Sequence, residues 1–334
     1  MNTTALTNPT IGVVVVNYKT PDLVVDGLRA LENERVVHSG IHVVVVDNFS
    51  GDDSVPKLRS AIESNAWSNW VKLVESPTNG GFSYGNNRGF KSLTEWLNSI
   101  DYYWLLNPDT EVQPGATQAL LDSLTRNPRC IVGSRLMDRD GTPQCSTFNF
   151  PSLVSEMCSG FQLGILDRLL SSHTVWQDVP EYECQVDWLA GASLMFTASV
   201  FEQIGLMDEE YFLYFEEVDY LLHAKLHGVP CRYVPGSEVF HEVGAATGIS
   251  DERKEQPRKP SYWFESRTRY FRKNHGRLYS FSTDAAFVIG YCTWLLRKRA
   301  VDAEVLKLQP PFFLRDFIKH SQLNPMQWSR PSTQ

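Results

Sequence analysis

The 334 residues of this chain, 42% hydrophobic and 21% charged, are enough to bury one large α/β domain with an appendage, and they exclude disorder of the whole chain. The net charge of −8 is unevenly spread: residues 251–334 hold 16 Lys and Arg against 8 Asp and Glu, which leaves 15 against 31 for the rest and makes the body acidic. An acidic body argues against nucleic acid as the main partner, whereas a basic tail suits anionic lipid headgroups, a diphosphate or simply a solvated face.

Met1–Pro9 lacks the basic start and apolar run of a secretory signal, and the six cysteines are scattered without a C-x-x-C pair, so a reduced cytoplasmic protein is expected. Ile11–Val16 is a continuous β-branched run closed by Asn17 to Pro21, and Asp22–Leu31 then has helical spacing. Ile41–Val46 is a second run ending in Asp47-Asn48, with a polar helix from Asp53. Val71–Glu75 is a short third strand, followed by the loop Asn79-Gly80-Gly81 and a helix to Ile100. Tyr102–Leu106 is a fourth strand, ending in Asn107-Pro108-Asp109 ahead of a helix from Pro114. Strands apolar throughout and alternating with helices predict a mostly parallel sheet covered on both faces. Ligands of such sheets sit at the carboxyl ends of the strands, which makes Asn17, Asp47, Asn79 and Asp109 candidates for one crevice.

Beyond Cys130–Met137 the pattern changes. Asp138 to Gly141 reads as a hairpin-like turn, Pro151–Leu170 as a helical insertion, and Cys184–Phe196 as two short strands around Gly191. Glu216–His227 is helical, Cys231–Val234 a strand and Glu238–His241 a last polar edge; Gly244–Lys259 reads as a mobile loop, and Tyr262–Lys273 and Ser280–Arg299 as terminal helices. Ala285–Leu296 is the most membrane-like segment, but twelve residues of helix reach only about 18 Å against the roughly 30 Å of a bilayer core. Followed by Arg297-Lys298-Arg299, it suits either the lipid interface or a packed core helix.

The first strand is followed by no G-x-G-x-x-G, and the chain has no Walker P-loop, which argues against nicotinamide and P-loop chemistry. Asp109, just past a buried strand, is placed either to hold Mg²⁺ or Mn²⁺ beside phosphates or to cap the Pro114 helix. Glu216, Glu217 and Asp219 follow the aromatic run Tyr211–Phe215; acids favour a helix start, and an apolar wall also raises a carboxylate pKa toward that of a usable base. His241 alone is either a neutral imidazole ligand or a polar strand terminus.

In order, VVVVNYKTPDLV (13–24), VVVVDNFSGDDS (43–54), NGGFSYGNNRGF (79–90), YYWLLNPDTEV (102–112), VDWLAGASLMF (186–196), IGLMDEEYFLYFEEVDY (204–220) and VFHEVGAATG (239–248) resemble bacterial family 2 glycosyltransferases, and more narrowly their rhamnosyltransferase-like branch. SYWFESRTRYFRKNHG (261–276) resembles that family's arginine-containing helix. The resemblance implies a GT-A fold over residues 1–250, with a nucleotide-sugar half at 1–112 and an acceptor half at 113–250, and a C-terminal helical extension at 251–334. It implies that Asp47 would contact the nucleobase, with Asn17, Tyr18, Asn79, Gly80 and Gly81 shaping the nucleotide pocket. Asp109 would bind a divalent metal, Mg²⁺ or Mn²⁺, at the diphosphate; Asn107 stands where many members have Asp. His241 would complete that site, Asp187 and Trp188 would border sugar and acceptor with Glu216, Glu217 falls where the general base lies, and Arg267 would answer the leaving diphosphate.

The implied activity is inverting transfer of a sugar, with L-rhamnose from dTDP-L-rhamnose as first choice, onto a glycan or polyprenyl-diphosphate-linked acceptor in O-antigen, capsule or cell-wall assembly. It would take place in the cytoplasm, at the inner membrane face. One rival is a catalytically silent nucleotide-sugar or carbohydrate binding protein on the same fold, against which the intact acids at 216–219 count. A nucleotidyltransferase would want a Gly-rich, basic loop after the first strand, and none is present.

Overall fold

A computed structural model describes residues 8–242, 256–301 and 303–328. The strands are β1 (Ile11–Asn17), β2 (Ile41–Asp47), β3 (Val71–Glu75), β4 (Tyr102–Leu106), β5 (Thr110–Val112), β6 (Ile131–Met137), β7 (Thr147–Phe148), β8 (Cys184–Val186), β9 (Trp188–Leu189), β10 (Ser193–Thr197) and β11 (Cys231–His241). The helices are α1 (Pro21–Arg35), α2 (Ser54–Ser64), α3 (Gly81–Trp96), α4 (Ala116–Arg126), α5 (Leu153–Phe161), α6 (Gly164–Leu169), α7 (Ala198–Ile204), α8 (Glu216–Leu226), α9 (Ser261–His275), α10 (Arg277–Val301) and α11 (Phe313–His320). Two compact units result: one from the described parts of Met1–Phe148, Asp178–Glu210 and Tyr220–Gly248, the other from those of Asn149–Gln177, Tyr211–Asp219 and Ile249–Gln334.

The first unit is a sheet in the order β3-β2-β1-β4-β10-β6-β11-β5, with β8 on β11. The β3-β2-β1-β4 half is parallel, as the unbroken apolar runs predict, while β10 enters antiparallel between β4 and β6. Strand parity sorts the two faces. Val13 and Val15, level with Trp104 and Leu106, join a core with Val24 and Leu28 of α1, Leu58 of α2 and Leu120 of α4. Val14 and Val16 face α3, where added Cβ atoms at Gly89 and Gly85 would fall 2.2 and 2.6 Å from their methyls. The two glycines let helix and strand approach closely, and the aromatic group of buried Phe90, Tyr103 and Phe196 with half-buried Phe201 continues that face.

The two segments expected at 231–234 and 238–241 are one strand. β11 pairs with β6 on either side of an irregularity between Val234 and Glu238, and the bend carries its last residues onto β5, with His241 level with Thr110. The second unit is helical, with α10 packed on α5 where Gly160 and Gly290 bring the two backbones together. α11 was absent from the expected elements, being only 8 residues long. Of the expected loop Gly244–Lys259, residues 244–255 lie outside the described residues. Among the described residues, no helix is long and apolar enough to cross a membrane.

Candidate active site

The loops that close β1, β2 and β3 are tied together by their polar side chains. Asn17 Nδ2 donates to Asp47 Oδ1 at 2.7 Å, and Ser50 donates to the same oxygen from its hydroxyl at 2.6 Å and to Oδ2 from its backbone at 3.1 Å. Asp47 is 3% exposed and uses three of the roughly four acceptor positions of a carboxylate, leaving one on Oδ2 for an incoming N–H. Asn48 Nδ2 donates to Asn79 Oδ1 at 3.0 Å and to Gly81 O at 2.9 Å, and Gly81 N closes on Asn79 Oδ1 at 3.1 Å. Asn17, Asp47, Asn79, Gly80 and Gly81 thus share one rim, with Tyr18 following β1. Ser50 was not among the expected site residues; its spacing from Asp47 is an Asx-type turn signal that points to it.

Across the sheet, the bend in β11 brings Asp109 and His241 together: His241 Nε2 lies 3.5 Å from Asp109 Oδ1, with the side chains 14% and 7% exposed. The capping role open to Asp109 belongs to another residue, because Glu34 of α1 accepts from Gly115 N and Thr117 N at 2.9 Å each. Asp109 Oδ1 is buried without a hydrogen bond, as is Asn107 Oδ1 two residues earlier. Burial raises the Asp109 pKa against the opposing pull of His241, and burial lowers that of His241 against the pull of Asp109, which favours a neutral imidazole. An orphaned carboxylate oxygen beside an imidazole nitrogen is a donor set that suits Mg²⁺ or Mn²⁺ with substrate oxygens filling the other positions. Among the described residues no group of three or more His, Cys, Asp or Glu is placed to hold a metal, so this pair would depend on phosphate oxygens to complete coordination.

Asp187 is ion-paired to Lys225 at 2.7 Å. Trp188, 8% exposed, stacks on Phe148 at 4.1 Å between centroids, where the two-stranded β7-β9 ribbon holds both rings.

The remaining candidates belong to the second unit. Tyr214 and Phe215 sit at φ 70 and 66°, a left-handed conformation costing bulky residues about 1–3 kcal/mol each. Ring contacts hold them there, Tyr214 on Tyr262 and Phe215 on Tyr270 and Trp263. Glu216 and Glu217 follow at once, and the Oε2 atom of each is buried without a hydrogen bond. Burial raises both pKa values, with mutual repulsion adding to that of Glu216. Asp219, by contrast, is committed to Lys273 at 2.6 Å, Asn274 at 2.8 Å and the Tyr211 hydroxyl at 3.1 Å. One acid therefore anchors the helix start while two are left with spare oxygens.

Arg267, expected at the diphosphate, is 2% exposed; its guanidinium bonds Glu156 and Asp284 and lies over the rings of Phe271 and Phe317. Its guanidinium nitrogens and the rings around it are all engaged within its own unit, so the site proposed below does without it. Arg267→Met strands two buried carboxylates and is expected to remove about 3–5 kcal/mol of stability. A urea midpoint close to that of the unaltered chain would contradict this role.

A parallel nucleotide-binding half joined to a mixed half, in which β6 and β11 run parallel while β10 and β5 are antiparallel to their neighbours, with polar residues gathered at the strand ends, defines a GT-A glycosyltransferase fold. The glycosyl transferase family 2 model matches residues 12–168. An N-acetylglucosaminyl-diphospho-decaprenol L-rhamnosyltransferase of Mycobacterium tuberculosis is 31% identical over 216 residues, 62% of this chain and 68% of that protein. The chain belongs to the family 2 glycosyltransferases. The rhamnosyltransferase WbbL of Escherichia coli is 26% identical over 48% of this chain and 60% of its own length. A mannosyltransferase of Pyrobaculum calidifontis, solved with GDP-Man and Mn²⁺, matches 97% of this chain and 89% of that chain at a TM-score of 0.56 and 13% identity, a likeness of fold.

Proposed function

We propose that this glycosyltransferase moves L-rhamnose from dTDP-L-rhamnose to a hydroxyl of a lipid-linked or glycan acceptor in cell-surface polysaccharide synthesis, inverting the anomeric carbon. The observation that carries the chemistry is the Asp109–His241 pair, with its orphaned carboxylate oxygen next to the sheet end where a nucleotide diphosphate binds in this fold. Rhamnose and the polyprenyl-diphosphate acceptor are favoured by the names of the relatives.

In this reading Asp47, Asn17 and the Asn79-Gly80-Gly81 loop seat the nucleotide, while Asp187 and Trp188 border the sugar. Asp109 and His241 would hold a divalent cation, which when bound would neutralise the charge growing on the departing diphosphate. Glu217 takes the proton from the acceptor hydroxyl as that oxygen attacks the anomeric carbon from the face opposite the nucleotide, with Glu216 bordering the acceptor. One displacement suffices and inverts the centre, and the proton remains on a carboxylate Oε atom until solvent removes it. The test is incubation of the purified chain with nucleotide sugars and a polyprenyl-diphospho-N-acetylglucosamine acceptor; product with dTDP-L-rhamnose and none with UDP- or GDP-sugars is expected, and the reverse preference would overturn the donor.

Work at the inner membrane face is supported by α10. Leu278, Ile289 and Leu296, exposed by 76%, 61% and 72%, fall on one side of the helix, and Arg297, Lys298 and Arg299 follow. Vesicles rich in anionic lipid are expected to bind the chain and to lose most of it on Ile289→Asp with Leu296→Asp. Equal binding by both forms would rule α10 out as the contact.

A further inference from the structure

Gln144 lies outside every motif described so far, yet it touches His241 twice. It stands on the returning arm of the turn after β6, where Asp138 N bonds Thr142 O at 2.9 Å, Gly141 N bonds Asp138 O at 2.9 Å, and Gln144 N bonds Leu136 O at 2.9 Å. The turn is clasped to the neighbouring strand by Arg139, which bonds Glu111 at 2.6 Å. From this footing the Gln144 amide reaches the end of β11, 97 residues away in sequence.

The amide has a single consistent orientation. Its Nε2 donates to Asp138 Oδ1 and to the His241 carbonyl, at 2.7 Å each, and both partners are oxygen acceptors. Turning the amide over would set its oxygen against two oxygens with no proton between them, so two neighbours outside the imidazole ring decide the assignment. The amide oxygen then faces His241 Nδ1 at 3.0 Å, and because it can only accept, Nδ1 must carry the proton. A neutral imidazole has one N–H, so Nε2, the nitrogen 3.5 Å from Asp109 Oδ1, is left with a bare lone pair.

We infer that Gln144 is a positioning residue that holds His241 in its Nδ1–H form and so presents the Nε2 lone pair beside Asp109. The use made of that lone pair rests on the metal reading of the Asp109–His241 pair; the ring assignment itself does not. An unsupported imidazole divides its proton between the two nitrogens and turns about its side-chain bonds, and outer partners of this kind typically change metal affinity by about 10–100-fold when removed.

The experiment is nitrogen NMR on the full chain labelled at histidine, without metal, at about pH 8, above the ordinary imidazole value. His241→Gln identifies the signals. The unaltered chain is expected to give His241 a protonated Nδ1 and a bare Nε2, and Gln144→Leu is expected to mix the two forms. In a parallel titration of Mn²⁺ with a nucleoside diphosphate, Gln144→Leu is expected to weaken Mn²⁺ binding by about 10–100-fold.

A proton found on Nε2 in the unaltered chain overturns the inference, and that measurement requires no variant to fold. So does a ring signature that Gln144→Leu leaves unchanged. Mn²⁺ binding equal in the unaltered chain and Asp109→Ala would instead remove the metal reading, with the ring signals still deciding the part assigned to Gln144.

Discussion

Asp109→Asn is expected to lower sugar transfer by about a thousandfold or more, equivalent to about 4 kcal/mol of lost transition-state stabilisation at the departing diphosphate. The substitution keeps size and shape and removes only the charge from an oxygen that has no hydrogen bond in its own chain. Its effect on folding should have the opposite sign. The Asp109 pKa is raised by burial above its ordinary 3.8, so the folded chain holds that proton more tightly than the unfolded chain does, and stability is lost as pH rises through the raised value. At neutral pH the ionised carboxylate is therefore a burden on the fold, and Asn should melt at the same temperature or higher. Rates of nucleotide diphosphate release across a Mn²⁺ series, with melting curves on the same preparations, test both halves. Transfer within tenfold of the unaltered rate would sink the metal role, and a large fall in melting temperature would recast Asp109 as structural.

Glu217→Gln is expected to cost about 10²–10⁴-fold in turnover, the range supplied by a positioned general base. The pH dependence gives a second signature. Glu216 and Glu217 titrate as a coupled pair whose pKa values burial pushes above the ordinary 4.5, and a base works only when ionised. kcat/KM should therefore fall on the acid side at a pH higher than an ordinary glutamate would allow, and the residual rate of Glu217→Gln should lose that limb. As at Asp109, the raised pKa means that ionisation opposes folding as pH rises through it, so Gln should hold or improve stability near neutrality. An acid limb shared by the variant would move the base to another group, with Glu216 the first to examine.

Much of the first unit was legible because its signals are local. Runs such as Val13–Val16 and Val43–Val46 can be satisfied only by strands buried on both faces, and the residues that end them fall at one sheet edge by topology alone. The need for glycine at 85 and 89 is not local: it comes from Val14 and Val16 of β1, which lie against them. Pro235 and Gly236 look like a stop between two segments, whereas β11 itself takes up the extra residues between Val234 and Glu238 while β6 runs on unbroken beside it, and the strand continues to His241. Arg267 was assigned to a diphosphate by likeness; nothing near it in sequence announces that Glu156 and Asp284 close around it from 111 and 17 residues away.

By itself, then, the order of residues determined the secondary structure of the nucleotide-binding half, the family and a short roll of candidate acids, since each depends on period, punctuation or motif within a few tens of residues. Only the tertiary structure decided which of those acids keep an oxygen unsatisfied, that Glu34 rather than Asp109 caps α4, and that a glutamine from a distant turn selects the ring nitrogen His241 presents. Hydrogen-bond satisfaction is a property of neighbours in space, and the decisive neighbours here are about 80 to 100 residues apart along the chain.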